Sequence, residues 1–332
     1  MKVPVVLVSG GAGYIGSHFM KAFANRGGVK VLCVDDFSTG HRWAVQDCEF
    51  VHLKVGVDPL DELFQEFDII AVVHFAASSI VSESVAFPLK YYQNNISSTA
   101  ALLKCCLKYG VNRFVLSSTA SVYGDINGGG LISETSPVAP VNPYGRSKLV
   151  CEWMLQDASL QSNSFRFLVL RYFNVAGAHS SNTLGECHDP ETHLIPKLAK
   201  AVLASNPSFS VYGRDYPTKD GTCIRDYIHV EDLASAHVSA LDYLLRGGRS
   251  ETVNCGYGRG YSVMEVVESM ERVSGCKLDV NWCERRAGDP AVLVANTDKL
   301  VNLLGWKAKY DDLDVICSTA LEWEKYKASI EV

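Results

Sequence analysis

The chain has 332 residues, a formal net charge of −6 and eleven cysteines. This length predicts one large α/β domain with a smaller partner. The charges form no basic stripe, which argues against nucleic-acid and membrane partners and favours a small molecule. No stretch approaches the roughly 18 apolar residues of a membrane helix. The cysteines lack zinc spacing, so we expect reduced thiols in a cytoplasmic protein and no metal site.

The first half of the chain alternates short apolar runs with longer amphipathic stretches. The predicted strands are Val5–Ser9, Lys30–Val34, Ile69–His74, Arg113–Ser117 and Phe167–Tyr172. Helices predicted between them include Asn95–Tyr109 and Tyr144–Asp157. Near-continuous apolar strands are typical of parallel sheets that are covered on both faces. The predicted fold class is therefore α/β, a Rossmann-type doubly wound parallel sheet with a smaller α/β C-terminal substrate domain.

A glycine-rich loop, Gly10–Gly16, follows the first predicted strand and opens a predicted helix. Backbone amides at such a helix start can bind a pyrophosphate that side chains would otherwise block. Asp35 ends the second strand about 20 residues later, where a carboxylate can bind the adenosine ribose. The acidic residue Asp36 and then Phe37 follow it, which favours NAD over NADP. The alternative is a tight strand–helix turn that binds no nucleotide.

Tyr144 and Lys148 are four residues apart and would share one face of a helix. An ammonium there can favour ionisation of the phenol, which makes tyrosine usable as a base. Such a pair alone is weak evidence, since a solvated helix face gives the same pattern. Together with the glycine loop, it points to hydride chemistry.

After about residue 174 the strand–helix alternation loosens into loops rich in Gly, Pro, Asn and Asp. Helices are predicted at Ile195–Ala204, Val230–Leu245 and Ser262–Ser274. We therefore expect a nucleotide-binding domain over residues 1–173 and a mainly substrate-binding domain over 174–332. Some segments of the second half could return to the first domain.

Several longer blocks carry a resemblance to a known family. They are His74–Ala77, Asn94, Ser117–Gly124, Arg171–Asn174, Thr218–Thr222, Arg225–Val230 and Arg285–Asp289. With the glycine loop and the Tyr144/Lys148 pair, the chain resembles the extended short-chain dehydrogenase/reductases, and within them the NAD-dependent epimerases. The resemblance covers nearly the whole chain.

The resemblance implies roles for the catalytic residues. Tyr144 would be the base, Lys148 would bind the nicotinamide ribose and lower the pKa of Tyr144, and Thr119 would supply a hydroxyl where the family usually has serine. NAD would contact Gly10, Gly13, Tyr14, Ile15, Gly16, Asp35, Asp36, Phe37, Phe75, Ala76, Ala77, Ser79, Asn94, Tyr144, Lys148 and Phe173.

The resemblance also implies a UDP-sugar substrate and 4-epimerisation of UDP-glucose and UDP-galactose through a 4-keto sugar. The substrate would contact Thr119, Asn174, His193, Leu194, Tyr212, Arg225, Arg286, Asp289 and Leu293. The two arginines suit a diphosphate because guanidinium groups are permanently charged, fork-shaped donors. For a single arginine, a surface salt bridge is the ordinary alternative, and His193 could equally be a capping residue.

Three positions depart from the family pattern. Lys54 follows the third strand where the family often has an Asp that reaches the adenine, so the backbone or Asp58 would have to serve instead. Ser79 stands near the position of a lysine in many members. Leu293 occupies the gate position, where tyrosine limits the pocket and smaller residues admit an N-acetyl group. We therefore expect UDP-GlcNAc and UDP-GalNAc as possible additional substrates.

Other interpretations remain open at this stage. A 4,6-dehydratase would need an acid and a base after the threonine, where this chain has Ala120 and Ser121. A UDP-glucuronate or UDP-pentose 4-epimerase would use the same catalytic residues. A non-catalytic NAD-binding regulator would not need them. The resemblance further implies a homodimer that pairs through helices near Asn95–Tyr109 and Tyr144–Asp157.

Overall fold

The computed structural model of the chain describes residues 2–24, 28–125, 130–286 and 289–330. In these ranges the strands are β1 (Pro4–Ser9), β2 (Lys30–Asp35), β3 (Glu49–His52), β4 (Asp68–His74), β5 (Arg113–Thr119), β6 (Arg166–Tyr172), β7 (Asn174–Ala176), β8 (Ser208–Tyr212), β9 (Ile224–Arg225), β10 (Tyr227–His229), β11 (Glu251–Cys255), β12 (Tyr261–Ser262), β13 (Asp279–Cys283) and β14 (Val292–Leu293).

The α-helices in the same ranges are α1 (Tyr14–Phe23), α2 (Asp61–Glu66), α3 (Val81–Ala86), α4 (Pro88–Tyr91), α5 (Ser97–Tyr109), α6 (Pro143–Gln161), α7 (Leu194–Leu203), α8 (Val230–Leu245), α9 (Val263–Ser274), α10 (Asp298–Leu304) and α11 (Leu313–Ile330). A π-helical segment, Tyr92–Ile96, joins α4 to α5. None of the described helices is both long and apolar enough to cross a membrane.

A seven-stranded sheet organises the first domain, with strand order β11-β6-β5-β4-β1-β2-β3. Every pair of neighbours in it is parallel. Strands β1, β4, β5 and β6 are rich in Val, Leu and Ile and are buried along most of their length, as expected for a sheet that is covered on both faces. The predicted fold class is confirmed.

Each face of the sheet is covered by its own apolar cluster. On one face, α1 and α8 contribute Phe19, Phe23 and Leu241. On the other face, α5 and α6 contribute Leu102 and Leu155. Helix α1 begins directly after the turn that follows β1, so its first turn lies at the carboxyl end of that strand. Helix α6 also lies beside the carboxyl ends of the strands, where the candidate site is located.

A smaller unit is formed mainly by later parts of the chain. Helices α7, α9 and α11 share a third apolar cluster, which includes Leu198, Val267 and Leu321. Two short sheets belong to this half: a two-stranded sheet of β8 and β13, and a three-stranded sheet with the order β12-β9-β14. Strand β11 pairs with β6 in the large sheet, so Glu251–Cys255 lies beyond residue 174 in sequence but extends the first domain. The division at residue 173 stays a prediction.

Candidate functional site

A cavity of about 760 Å³ opens at the carboxyl ends of the large sheet. Strand β1 lies between β2 and β4 in the sheet, so the chain order reverses direction there. Crevices at such switch points are where doubly wound sheets bind ligands. Of the predicted site residues, the cavity is lined by Gly10, Gly13, Tyr14, Ile15, Gly16, Asp35, Asp36, Phe75, Ala76, Ala77, Ser79, Asn94, Thr119, Tyr144, Lys148, Phe173, Asn174, His193 and Leu194.

The glycine loop is tightly packed against β4 and open towards the cavity. A Cβ atom on Gly10 would lie 2.4 Å from the backbone nitrogen of Ala76, and the φ angle of Gly10 is +75°. A Cβ atom on Gly16 would lie 2.2 Å from the carbonyl oxygen of Gly10. At Gly13 a Cβ atom would meet only that same oxygen, at 3.4 Å. The first and last glycines thus permit close packing, while the middle one leaves room for a ligand at the start of α1.

The carboxylate of Asp35 is held in place by two backbone amides. Its Oδ2 atom accepts from Ala12 at 2.9 Å, and its Oδ1 atom accepts from Phe37 at 2.8 Å. A carboxylate has about four lone-pair sites, so acceptor capacity remains for ribose hydroxyls. Phe37 itself is not part of the cavity lining; it adopts a positive φ of 54°, and its ring packs against Phe50 and His52.

The turn after the third strand contains both groups that the sequence analysis offered as partners of the adenine, the backbone and Asp58. The side chain of Asp58 accepts from the backbone nitrogen of Lys54 at 2.7 Å and does not line the cavity. The Nζ atom of Lys54 lies 3.6 Å from the carboxylate of Asp36. Residues Leu53 to Val57 of the turn line the cavity instead. The arrangement favours the backbone, and not Asp58, as the partner of an adenine.

Helix α6 carries Tyr144 and Lys148 into the cavity on one face. The helix starts at Pro143, and the side chain of Asn142 caps it by accepting from the backbone nitrogen of Gly145 at 2.8 Å. Tyr144 and Lys148 are both buried. The Nζ atom of Lys148 donates to the carbonyl oxygen of Ser117 at 2.8 Å, which ties α6 to β5.

Burial governs the protonation of both side chains. It raises the pKa of Tyr144 well above the usual value, with Tyr172 adding to the rise and a hydrogen bond with Thr119 opposing it. Burial also lowers the pKa of Lys148 to about 8. The sequence predicts that Lys148 lowers the pKa of Tyr144. The structure differs, because the ammonium turns to Ser117 and desolvation of the phenol dominates.

Asn95 holds the catalytic helix to the cavity wall, and sequence reasoning missed it. This buried side chain accepts from the backbone nitrogen of Ser78 at 2.8 Å and donates to the hydroxyl of Ser147 at 2.9 Å. The neighbouring Asn94, which was predicted, donates to the hydroxyl of Ser78 at 3.1 Å. Both lie in the π-helical segment, a form that is frequent at functional sites. Nothing in the local sequence pattern distinguishes the two asparagines.

A second group of predicted substrate residues lies outside the cavity lining. The guanidinium of Arg286 lies 4.2 Å from the ring centre of Tyr212, and Arg225 forms an ion pair with Asp289. Leu293 pairs with Arg225 across β14 and β9. Residues 287 and 288 of the predicted block lie outside the described residues.

The two groups adjoin each other behind β7. Leu293 packs against an apolar cluster that contains Phe173. The backbone nitrogen of Asn174 donates to the carbonyl oxygen of Asp226, next to Arg225, at 3.0 Å. The second group is therefore continuous with the cavity wall at Phe173 and Asn174.

His193 lies in the cavity wall but is engaged with an acidic neighbour that the sequence analysis did not single out. Its Nδ1 atom forms an ion pair with the buried carboxylate of Glu186. Burial opposes the imidazolium charge, but Glu186 outweighs it and raises the pKa of His193 to about 9. His193 also directly precedes α7, but its side chain makes no capping hydrogen bond to that helix.

Comparison with known proteins agrees with this geometry. Residues 6–256 match the model of the NAD dependent epimerase/dehydratase family. The UDP-glucose 4-epimerase of Azospirillum brasilense is 47% identical over 324 residues, which are 97% of this chain and 92% of that protein. The chain belongs to the NAD-dependent epimerase/dehydratase family.

Solved structures of epimerases share the fold. UDP-glucose 4-epimerase from Brucella ovis, in complex with NAD, superposes with a TM-score of 0.91 at 44% identity, covering 96% of this chain and 98% of that one. The UDP-Glc/GlcNAc 4-epimerase of Campylobacter jejuni gives a TM-score of 0.85 at 46% identity, with 97% and 99% covered. The predicted resemblance is confirmed.

The cavity fits the cofactor of this NAD-dependent family. The open face at Gly13, the carboxylate of Asp35 and the buried Lys148 line one continuous space. Acidic residues at 35 and 36 are unfavourable for a 2′-phosphate, which agrees with NAD as the cofactor. When bound, NAD would be held by the glycine loop, by Asp35 and by Lys148.

Proposed function

We propose that this protein interconverts UDP-glucose and UDP-galactose by reversible oxidation at carbon 4 of the sugar, and that it is therefore an isomerase. The observation that carries the proposal is the arrangement at the cavity: Tyr144, Thr119 and Lys148 line the same space as the glycine loop. The strong similarity to 4-epimerases over nearly the whole chain supports the same activity.

The side chains divide the proton chemistry among them. Tyr144 removes the proton of the 4-hydroxyl, and Thr119 hydrogen-bonds that hydroxyl and the phenol. When bound, NAD would supply a reversible hydride acceptor for carbon 4. Inversion requires the resulting 4-keto sugar to present its opposite face before the hydride comes back. Lys148, held by Ser117, orients the cofactor's ribose. For Tyr144 to act as the base, its raised pKa has to fall when the positively charged NAD occupies the cavity. Return of the proton from Tyr144 to the oxygen on carbon 4 completes the cycle, with no net oxidation.

The substrate is held by the two adjoining groups together. Asn174 and Leu194, in the cavity wall, contact the sugar. Arg225 and Arg286 bind the diphosphate because their guanidinium groups offer paired, permanently charged donors. Asp289 contacts the uridine ribose. Tyr212 is 38% exposed, and its ring lies against the uracil beside the guanidinium of Arg286.

Elimination of water, as in a dehydratase, is disfavoured by the residues after Thr119. Ala120 is buried in an apolar cluster and Ser121 lines the cavity, so neither supplies the acid or base that elimination needs. UDP-GlcNAc and UDP-GalNAc are proposed as further substrates because Leu293 is smaller than tyrosine. The Campylobacter relative, which is named a UDP-Glc/GlcNAc 4-epimerase, supports the use of an N-acetylated sugar.

Location and assembly are proposed on separate grounds. All eleven cysteines are free thiols, which supports a reducing compartment such as the cytoplasm.

Helix α6 exposes Trp153 and Leu160, and the neighbouring α4 exposes Leu89. An apolar surface of this kind supports a homodimer that pairs through α5 and α6. Sedimentation as a monomer at micromolar concentration would contradict the dimer.

The test is product analysis with the purified protein. UDP-galactose is incubated with it and NMR follows the appearance of UDP-glucose, with UDP-GlcNAc, UDP-glucuronate and UDP-xylose in parallel. We expect interconversion of the two hexoses without net release of NADH. Turnover of only the glucuronate or the pentose would keep the mechanism and change the substrate, and turnover of none with NAD bound would favour a regulatory protein.

A further inference from the structure

A compact cluster of metal-binding side chain types lies on the segment just before α7. Glu186, His188, Glu191 and His193 each offer one ligand atom, and these atoms all lie within 4.8 Å of one another. The Nδ1 atom of His188 lies 2.9 Å from Oε1 of Glu186, and His193 approaches the same carboxylate oxygen. Two imidazoles and two carboxylates therefore converge on one point, although the sequence predicts no metal site.

One oxygen of this cluster lacks a partner. The Oε1 atom of Glu191 accepts from the backbone nitrogens of Thr192, at 2.7 Å, and His193, at 2.9 Å. The Oε2 atom is buried and has no hydrogen-bond partner among the described residues. The side chain is only 4% exposed. A buried carboxylate oxygen without a partner is costly, and a cation beside it would remove that cost.

We propose that Glu186, His188, Glu191 and His193 form a binding site for one Zn²⁺ ion. Zinc takes four nitrogen and oxygen ligands at about 2.0–2.2 Å in a tetrahedron. To surround the ion, His188 and His193 would move away from the Glu186 oxygen that both now approach, and the wider gaps in the cluster would close. His193 would give up a proton on binding the metal. Two carboxylates balance the double charge of the ion. Imidazole ligands favour zinc over Mg²⁺ and Ca²⁺, which prefer oxygen. With all four positions filled by protein, the site is structural.

The proposed ion would fix one wall of the cavity. Glu186 and His193 lie at the two ends of the segment, and both line the cavity. The backbone oxygen of Glu186 is anchored to α11 by Trp323 at 2.8 Å and by Lys327 at 3.1 Å. Zinc would therefore join the start of α7 to α11. This assignment gives His193 to the metal and leaves the sugar to Asn174 and Leu194.

The test measures metal binding to the full-length chain after chelation and dialysis. Isothermal titration with Zn²⁺ should give one site per chain, a raised melting temperature, and no competition from Mg²⁺. His188→Ala and Glu191→Gln should each weaken binding about 100-fold or more. The matched controls are Cys187→Ser, inside the segment but not one of the four ligands, and His179→Gln, which precedes the segment. Both should bind zinc as the parent chain does.

Co²⁺ gives an independent measurement on the unaltered chain, in case a variant fails to fold. Nitrogen and oxygen ligands in a tetrahedron should give an intense visible spectrum without a sulfur charge-transfer band, and Zn²⁺ should abolish it. Absence of zinc binding, binding that survives both cluster variants, or a sulfur band that is lost in Cys187→Ser would overturn the proposal. These readouts do not depend on epimerase activity.

Discussion

Lys148 of α6 donates from its Nζ atom to the carbonyl oxygen of Ser117, the residue two positions before Thr119 in β5. This bond fixes the ammonium near the carboxyl end of β5, in the cavity that Tyr144 and Thr119 also line. It also keeps the lysine in a buried position, which lowers its pKa to about 8. The charge of the site therefore changes close to neutral pH.

The first prediction concerns the pH dependence of NAD binding. Burial lowers the pKa of Lys148, so the free protein carries the ammonium below about pH 8 and the neutral amine above it. Because the cofactor stabilises the cation, the Kd of NAD should be constant below about pH 8 and rise by up to about tenfold per pH unit above it. Titration calorimetry from about pH 6.5 to 9.5 measures this.

Lys148→Met provides the control for that experiment. It should bind NAD more weakly at every pH and should lose the inflection near pH 8. An inflection that persists in the variant would assign the titration to another group, and a flat profile in the parent chain would show that Lys148 does not change charge there.

The second prediction concerns the base. Tyr144→Phe should lower kcat by roughly two to four powers of ten, the scale for removal of a general base, while NAD binding stays within about twofold. Tyr109→Phe, at the distant end of α5, should leave kcat unchanged. Steady-state kinetics with UDP-galactose and calorimetry with NAD give the two readouts. Near-full activity of Tyr144→Phe would remove this residue as the base.

The third prediction concerns the buried ion pair that supports the catalytic helix. Arg171 of β6 donates to both carboxylate oxygens of Glu152 in α6, at distances from 2.5 to 3.1 Å, and both side chains are almost fully buried. Glu152→Ala should lower the free energy of unfolding by about 3–5 kcal/mol, because it leaves a buried charge without a partner. Urea denaturation measures the loss.

Two comparisons test that explanation. The double variant Glu152→Ala/Arg171→Met should recover most of the loss, since no buried charge is then left uncompensated. Asp311→Asn, which breaks the exposed pair with Arg259, should change stability by less than about 1 kcal/mol. If the double variant were less stable than Glu152→Ala, packing and not charge would explain the effect.

The fourth prediction concerns the gate. Leu293 is half-buried beside the cluster that contains Phe173, so a larger ring at this position would project towards the cavity wall. Leu293→Tyr should lower kcat/KM for UDP-GlcNAc about tenfold or more and change that for UDP-galactose less than about threefold. Leu293→Ala is the control and should keep both activities. Loss of both substrates equally in Leu293→Tyr would contradict a selective gate.

The parts of the molecule that were predicted correctly depend on local sequence. The turn at Gly10–Gly16 between β1 and α1 follows from residues that are adjacent in the chain, because the glycines determine how close backbone can approach. Helix α8 was predicted over the same residues, Val230–Leu245, that the structure assigns to it. Apolar periodicity over such a length is a strong signal.

The parts that were missed depend on contacts between distant segments. The sequence analysis allowed later segments to return to the first domain but did not identify β11, because its position beside β6 cannot be derived from either strand alone. The role of Asn95 requires the loop at Ser78 and helix α6 to meet. The ion pair of Glu186 with His193 could not be predicted, because it depends on the turn of the chain that brings the two side chains together. For the same reason, the sequence alone could not show that burial raises the pKa of Tyr144.

The central claim is that a hydride leaves carbon 4 of the sugar and returns to it within one site. The most direct measurement uses UDP-galactose with deuterium at carbon 4, incubated with the purified protein in ordinary water and followed by NMR and mass spectrometry. We expect UDP-glucose that retains the deuterium at carbon 4, with no net NADH. Product with hydrogen from water at that carbon would contradict hydride transfer, and absence of UDP-glucose would contradict the proposed activity.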